Sequence, residues 1–191
     1  MKRRSLIKAL SLTGLASGLT LPAFGNVLAD CDPTTPDILG PFYIPNQPFT
    51  SQISPAGAPG TPLFITGTVY ALDCLTPLEN ALVDVWQAND GGQYENNSYR
   101  GRIHTDASGS YAFSTVLPGK YLNGSQYRPR HIHYKVSYPA GQNELTTQVY
   151  FDGDTSIPSD PWASDPSAAE RIIPLTADGS GNMHGVMDVV L

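Results

Sequence analysis

Histidine is scarce in this chain, four among 191 residues, so any clustering of imidazoles is informative. Cysteine is scarcer still: two residues exclude both a disulfide-dense scaffold and a four-cysteine metal site. Only 11 basic residues face 17 acidic ones, which makes nucleic acid and anionic membrane poor partners. Long amphipathic helical patterns are absent. So is an unbroken apolar run of the roughly 20 residues that a bilayer span requires; the most apolar stretch, LSLTGLASGLTLPAF, is interrupted by Gly14, Gly18 and Pro22.

The first 29 residues differ from the rest. A basic start, MKRRSLIK, precedes that apolar stretch, and Val27-Leu28-Ala29 supplies small residues suited to a signal peptidase. Arg3 and Arg4, followed by Ser5, Leu6, Ile7 and Lys8, resemble a twin-arginine signal, which carries folded proteins across the inner membrane. The expectation is a signal peptide over 1–29, a domain over 30–191, a periplasmic or secreted product, and no stable membrane insertion after cleavage. Removing 1–29 leaves 7 basic against 17 acidic residues, a net −10. Asp30 stands where a small residue should precede a lipidated Cys31, which disfavours a lipoprotein; Cys31 and Cys74 remain after cleavage, and an even count in an oxidising compartment is more often a disulfide than a metal pair.

The chain has room for one core. Seventeen prolines and eighteen glycines punctuate short alternating apolar runs, the pattern of an all-β fold. Strands are predicted over 63–72, 81–87, 110–115, 132–137, 146–151 and 185–191. Val83 and Val85 alternate with Leu82, Asp84 and Trp86, the period of two that turns one face to a core. The predicted fold is a two-sheet β-sandwich with long loops and at most one short helix, over 166–171, capped by Asp165. Residues 31–60 are too rich in proline for a central strand and read as an extended arm over the domain. GTVY, ALVDVW, HTDASGSYAF and LPGKY between Gly67 and Tyr121 resemble transthyretin-like modules, a likeness that implies a fold and no chemistry.

Two of the four histidines, His131 and His133, flank Ile132 in YRPRHIHYKV. On a strand, residues two apart share a face, so both imidazoles can reach one metal ion while Ile132 enters the opposite side. Alone, this pattern also suits surface histidines, and it leaves the metal open. Tyr94 follows VWQAND and Gly91-Gly92-Gln93; Tyr121 follows YAFSTVL and Pro118-Gly119-Lys120. Both stand at strand exits, where folds place functional loops. A phenol of pKa near 10 stays ionised at neutral pH only beside a strongly Lewis-acidic ion, so two phenolates with two imidazoles favour Fe(III) over Fe(II).

These pieces together resemble the intradiol ring-cleavage dioxygenases, which include the protocatechuate 3,4- and catechol 1,2-dioxygenases. The matching segments are GPFY at 40–43, DVWQAND at 84–90, GQY at 92–94, the spaced residues from Arg100 to Phe113, PGKY at 118–121, RPRHIH at 128–133 and TTQVYFDGD at 146–154. They occur in the family's order. The resemblance implies non-haem Fe(III) held by Tyr94, Tyr121, His131 and His133, with a small aromatic diol and O2 as substrates. It also implies that Arg128 stabilises negative charge on the ring, that Gln148 hydrogen-bonds in the pocket, and that Tyr121 takes up a substrate proton. The loop YLNGSQYR at 121–128 is shorter than in protocatechuate enzymes and lacks their tryptophan. The helical dimerisation segment of catechol enzymes has no counterpart before GPFY.

Two rivals use the same residues: a transthyretin-like metal- or aromatic-binding module without turnover, and a copper or zinc protein built on H-x-H. Other readings are that Tyr99 could replace Tyr94 in a different loop register, that Trp86 and Tyr111 are core aromatics, and that Arg100 and Arg102 are solvated charges. His104 and His184 read as exposed. Tyr43 could line the pocket, and Arg130 either points away from the iron or recruits an acidic substrate.

Overall fold

The computed structural model describes residues 32–191. The signal peptide expected over 1–29 and the Cys31 end of the expected disulfide lie outside the described residues; Cys74 is disulfide-bonded. Alternating residues build two five-stranded sheets packed face to face. In the first, β1 (Pro62–Tyr70) pairs antiparallel with β4 (Ser110–Val116) and parallel with β11 (Met183–Val186) and β12 (Val189–Val190); β10 (Thr176–Ala177) extends the edge beside β11. The second runs β3-β2-β7-β8-β9, from β3 (Arg100–His104) through β2 (Leu82–Gln87), β7 (His131–Ser137) and β8 (Glu144–Phe151) to β9 (Ile172–Ile173). A small hairpin, β5 (Leu122–Asn123) with β6 (Gln126–Tyr127), stands apart. The β-sandwich is the fold that the sequence predicts.

The core fills the space between the sheets. Leu63, Ile65, Val69, Tyr111 and Phe113 meet Val83, Val85, Ile132, Tyr134, Val136, Val149 and Phe151 across it. Because β-strand side chains alternate, committing Ile132 and Tyr134 to the core sends His131 and His133 to the outer face of the second sheet. The register aligns His133 with Trp86 of β2 and with Gln148 of β8, and His131 with Tyr150. The site therefore stands on the most central strands of the molecule.

That outer face is covered by the arm. Its backbone is tied at intervals: Asp37 N–H donates to Thr146 O, Arg102 N–H to Pro48 O and Ile53 N–H to Ser114 O. Arg100 and Arg102 are clamps rather than solvated charges. Arg100 is buried and donates to the carbonyls of Phe42 (2.6 Å) and Glu95 (3.0 Å); Arg102 donates to Gln47 O and lies over the Phe49 ring.

Two short 3-10 helices, Ile157–Ser159 and Pro166–Arg171, are the helical elements among the described residues, one more than expected. The second starts as the sequence predicts, with Asp165 accepting from Ser167 N–H and Pro166 at the first position. The strand predicted over 185–191 is instead β11 and β12 separated at 187–188, where Met187 N–H donates to Thr66 O and Asp188 Oδ1 accepts from Thr68 N–H.

Candidate metal centre

Three functional atoms meet on the outer face of β7. Tyr94 Oη lies 3.0 Å from His131 Nε2 and 3.0 Å from His133 Nε2. Both histidines are buried. With Tyr121, Phe42, Gly40, Ile38, Asn123, Arg128 and Trp162, among others, they line one cavity of about 170 Å³. Tyr121 is half-buried, its ring edge-on to Tyr94 at 5.6 Å and to Phe42 at 5.4 Å. Its hydroxyl makes no hydrogen bond among the described residues. Tyr99 is buried elsewhere and does not line the cavity, so the GQY register brings Tyr94 to the histidines.

The two tyrosines arrive on loops that interlock through glycine. Gly92 has φ +79°, and a Cβ there would stand 2.2 Å from Lys120 O; a Cβ on Gly119 would stand 2.3 Å from Gly92 N. Only hydrogen at both positions permits that approach. Lys120 then fastens the second loop, reaching Asp154 (3.0 Å), Thr155 (2.9 Å) and Ser156 (2.9 Å).

A second layer orients the donors. His131 Nδ1 lies 2.6 Å from Pro129 O, so that nitrogen donates and Nε2 keeps its lone pair. His133 Nδ1 faces the Ile38 carbonyl without closing a hydrogen bond. The Trp86 indole stacks on the His133 ring at 4.8 Å and 8°. Trp86 is buried as predicted, yet it lies outside the sandwich core and against the site; Tyr111 does belong to the core. Phe42 stacks on Tyr94 at 4.2 Å. Tyr43 packs on Trp86 rather than lining the cavity, and its hydroxyl donates to Asp84 (3.1 Å).

Burial sets the charge states. It holds His131 down to about 4, helped by the Arg128 guanidinium, and holds His133 well below the usual imidazole range, helped by His131 and Arg128. It pushes the Tyr94 phenol well above its ordinary value against the opposing pull of Arg128. At neutral pH the centre is thus two neutral imidazoles and a neutral phenol.

This arrangement fits a metal ion. Tyr94 has one proton to donate between two nitrogens, and His131, protonated on Nδ1, keeps its Nε2 lone pair toward the phenol oxygen. The phenol oxygen and both Nε2 atoms stand together on one cavity wall, so an ion held here would take its donors from Tyr94, His131 and His133. Among the described residues no group of three or more His, Cys, Asp or Glu could hold a metal; an ion bound between these histidines would need the phenols as further donors. An N2O2 set with phenolic oxygens suits a hard, charge-dense ion.

Arg128 is buried, donating to Asp160 (Nε, 2.9 Å) and Tyr150 (Nη2, 3.0 Å), and lies 4.4 Å from the Trp162 ring. Its Nη1 has no partner among the described residues. Gln148 is placed differently from its expected pocket role. Its Nε2 donates to Ile38 O (2.8 Å), its Oε1 accepts from Tyr150 (3.2 Å), and it does not line the cavity. It holds the arm beside His133. Arg130 points away, toward Asp154 (3.4 Å), and lines a different cavity. Sequence reasoning missed Trp162 altogether, since nothing in DPWASDP marks a residue that folds back over Arg128.

Comparison with known proteins places this geometry among relatives. A family model described as Dioxygenase matches residues 38–188. The chain is 37% identical over 144 residues to catechol 1,2-dioxygenase 2 of Acinetobacter lwoffii, covering 61% of this chain and 50% of that protein. It is 35% identical over 153 residues to the protocatechuate 3,4-dioxygenase beta chain of Burkholderia cepacia, covering 71% and 63%. It is 30% identical over 182 residues to a chlorocatechol 1,2-dioxygenase of Pseudomonas sp. strain P51, covering 81% and 68%. The chain thus spans about half to two thirds of these relatives' lengths. Among solved structures, the dioxygenase domain of a dioxygenase carbohydrate-binding protein fusion from Streptomyces sp. SirexAA-E superposes with a TM-score of 0.75 at 35% identity, covering 84% of this chain and 98% of that one.

Proposed function

Since this chain belongs to the intradiol ring-cleavage dioxygenase family, we propose that its cavity binds a catechol-type aromatic diol and cleaves the ring between the two hydroxyl-bearing carbons. Both atoms of O2 enter the product, a muconate-type diacid. The observation that carries this reading is the meeting of Tyr94 with His131 and His133 at 3.0 Å, in one cavity with Tyr121. Tyr94, Tyr121, His131 and His133 are the proposed ligands of a non-haem ferric ion. Bound there, ferric iron supplies a Lewis acid that ionises phenolic groups at neutral pH.

The chain's own residues have distinct tasks. Pro129 O fixes the His131 tautomer, and Trp86 holds the plane of His133 by stacking. Tyr121, which makes no hydrogen bond among the described residues, would be held ionised as a ligand of the ferric ion, and its phenolate Oη could then take up a substrate proton to become the neutral phenol. Arg128 presents Nη1 to negative charge that develops on the ring; Asp160 and Tyr150 keep the guanidinium oriented. Phe42 covers one face of Tyr94 and keeps water from it. Gln148 acts through Ile38, as a positioning residue.

Oxygen uptake by the iron-loaded protein across a panel of catechols, with isotopically labelled O2, tests the proposal. Stoichiometric uptake with both labelled atoms in a ring-opened diacid is expected; absence of uptake with every diol overturns it. The proposal extends to location: Arg3-Arg4 and the apolar stretch that follows support twin-arginine export to the periplasm or beyond. Replacing both arginines with lysine should trap the precursor in the cytoplasm.

A further inference from the structure

A second cavity, of about 320 Å³, adjoins the first. It is lined by Pro36, Asp37, Ile38, Pro161, Trp162, Asp165, Ser167 and Arg171; Ile38 and Trp162 line both. A cavity of about 150 Å³ is filled by one benzene ring, so the 170 Å³ of the metal-centre cavity takes the diol ring and little else. The larger space shares Ile38 and Trp162 with it as lining.

The chemistry of that space is selective. Pro36, Ile38, Pro161 and Trp162 give it apolar and aromatic surface. Its charges are mostly spoken for: Arg171 and Asp37 form a buried ion pair at 2.6 Å, and Asp165 accepts from Ser167 N–H (2.9 Å) and Oγ (2.7 Å). Arg171 is 2% exposed. Its Nε donates to Thr35 and its Nη1 to Asp37 and Gln148 O, which leaves Nη2 as a donor with no acceptor among the described residues. Since Arg171 lines this cavity, Nη2 is the donor it has left to offer a ligand oxygen. Two carboxylates against one guanidinium leave the lining net negative, which disfavours an anionic group.

We propose that this second cavity is a substituent subsite: the substrate is a catechol bearing a second, uncharged ring with an acceptor oxygen, which stacks on Trp162 and accepts a hydrogen bond from Arg171 Nη2. This rests on the reading of the first cavity as the diol site. Trp162, shared by both spaces and held over Arg128, is the specificity-determining wall between them.

The test compares catechol, 4-(4-hydroxybenzyl)catechol and 4-(4-carboxybenzyl)catechol on the iron-loaded protein. Binding is measured anaerobically by calorimetry and turnover by oxygen uptake. The hydroxybenzyl compound is expected to bind at least tenfold more tightly than catechol and than the carboxybenzyl compound. Ser167→Phe, which puts bulk into the second cavity, should bring the ratio of the hydroxybenzyl and catechol constants close to one. Equal binding of the hydroxybenzyl compound and catechol by the wild-type protein overturns the subsite, as does equal binding of the neutral and carboxylate compounds or an unchanged ratio in folded Ser167→Phe. Preferential binding without oxygen uptake by any diol overturns the proposed activity and leaves the subsite standing.

Discussion

Tyr94 Oη sits 3.0 Å from the Nε2 atoms of two buried imidazoles, and this sets what single residues should do. His133→Ala removes one donor and a stacking partner of Trp86; the expected result is loss of iron retention after gel filtration, read by metal analysis, with the fold kept. Tyr121→Phe removes the proposed base and should lower kcat/KM for the best diol by about 10²-fold or more, while His131 and His133 still retain metal. Asp84 offers a separate check away from the centre. Burial raises its carboxyl to about 6 despite the Tyr43 hydroxyl and the nearby Arg102 and Lys135. The folded protein therefore binds this proton more strongly than the unfolded chain, so the contribution of Asp84 is most favourable at low pH and is lost as pH rises from about 4 through about 6. Asp84→Asn should stabilise the protein by about 1–2 kcal/mol at pH 8 relative to its effect at pH 4, measured as the difference in urea midpoints. That His131 and His133 share a face was legible from their spacing, and that Tyr94 and Tyr121 stand at strand exits from their turn residues; their joint role came from the family resemblance. The roles of Trp86 and Gln148 were not: alternation tells which face a side chain takes, and only the arm crossing that face decides that Trp86 is buried against a histidine and that Gln148 is occupied by Ile38.

At the scale of elements, the site depends on the approach of two loops that belong to different sheets' strands. Gly92→Ala forces a Cβ into Lys120 O at a left-handed backbone position. It should cost about 1–3 kcal/mol and reduce iron content even where the protein remains folded, since Tyr94 and Tyr121 would be pushed apart; a wild-type iron content in the folded variant would contradict this. The strands that carry the site were readable from alternation, with ends shifted by one or two residues. β3 was missed because RGRIH shows no alternation: Arg100 and Gly101 are both buried under the arm. The break between β11 and β12 was equally hidden, since Asp188 leaves the strand to bind Thr68, a contact across 120 residues of sequence.

For the whole molecule, the sandwich presents its outer face and the arm, clamped by Arg100 and Arg102, covers it to form a cavity. A metal that binds only the folded chain stabilises it by mass action, so chelation should lower the thermal midpoint and ferric iron should restore it. The central claim is that two phenols and two imidazoles share one ferric ion. The absorption spectrum of the purified, iron-loaded protein, before and after anaerobic catechol, tests it most directly. A broad visible tyrosinate-to-iron band that shifts on catechol addition and is altered by Tyr121→Phe is the predicted result. A protein with full iron content, no visible band and no response to catechol would contradict the account.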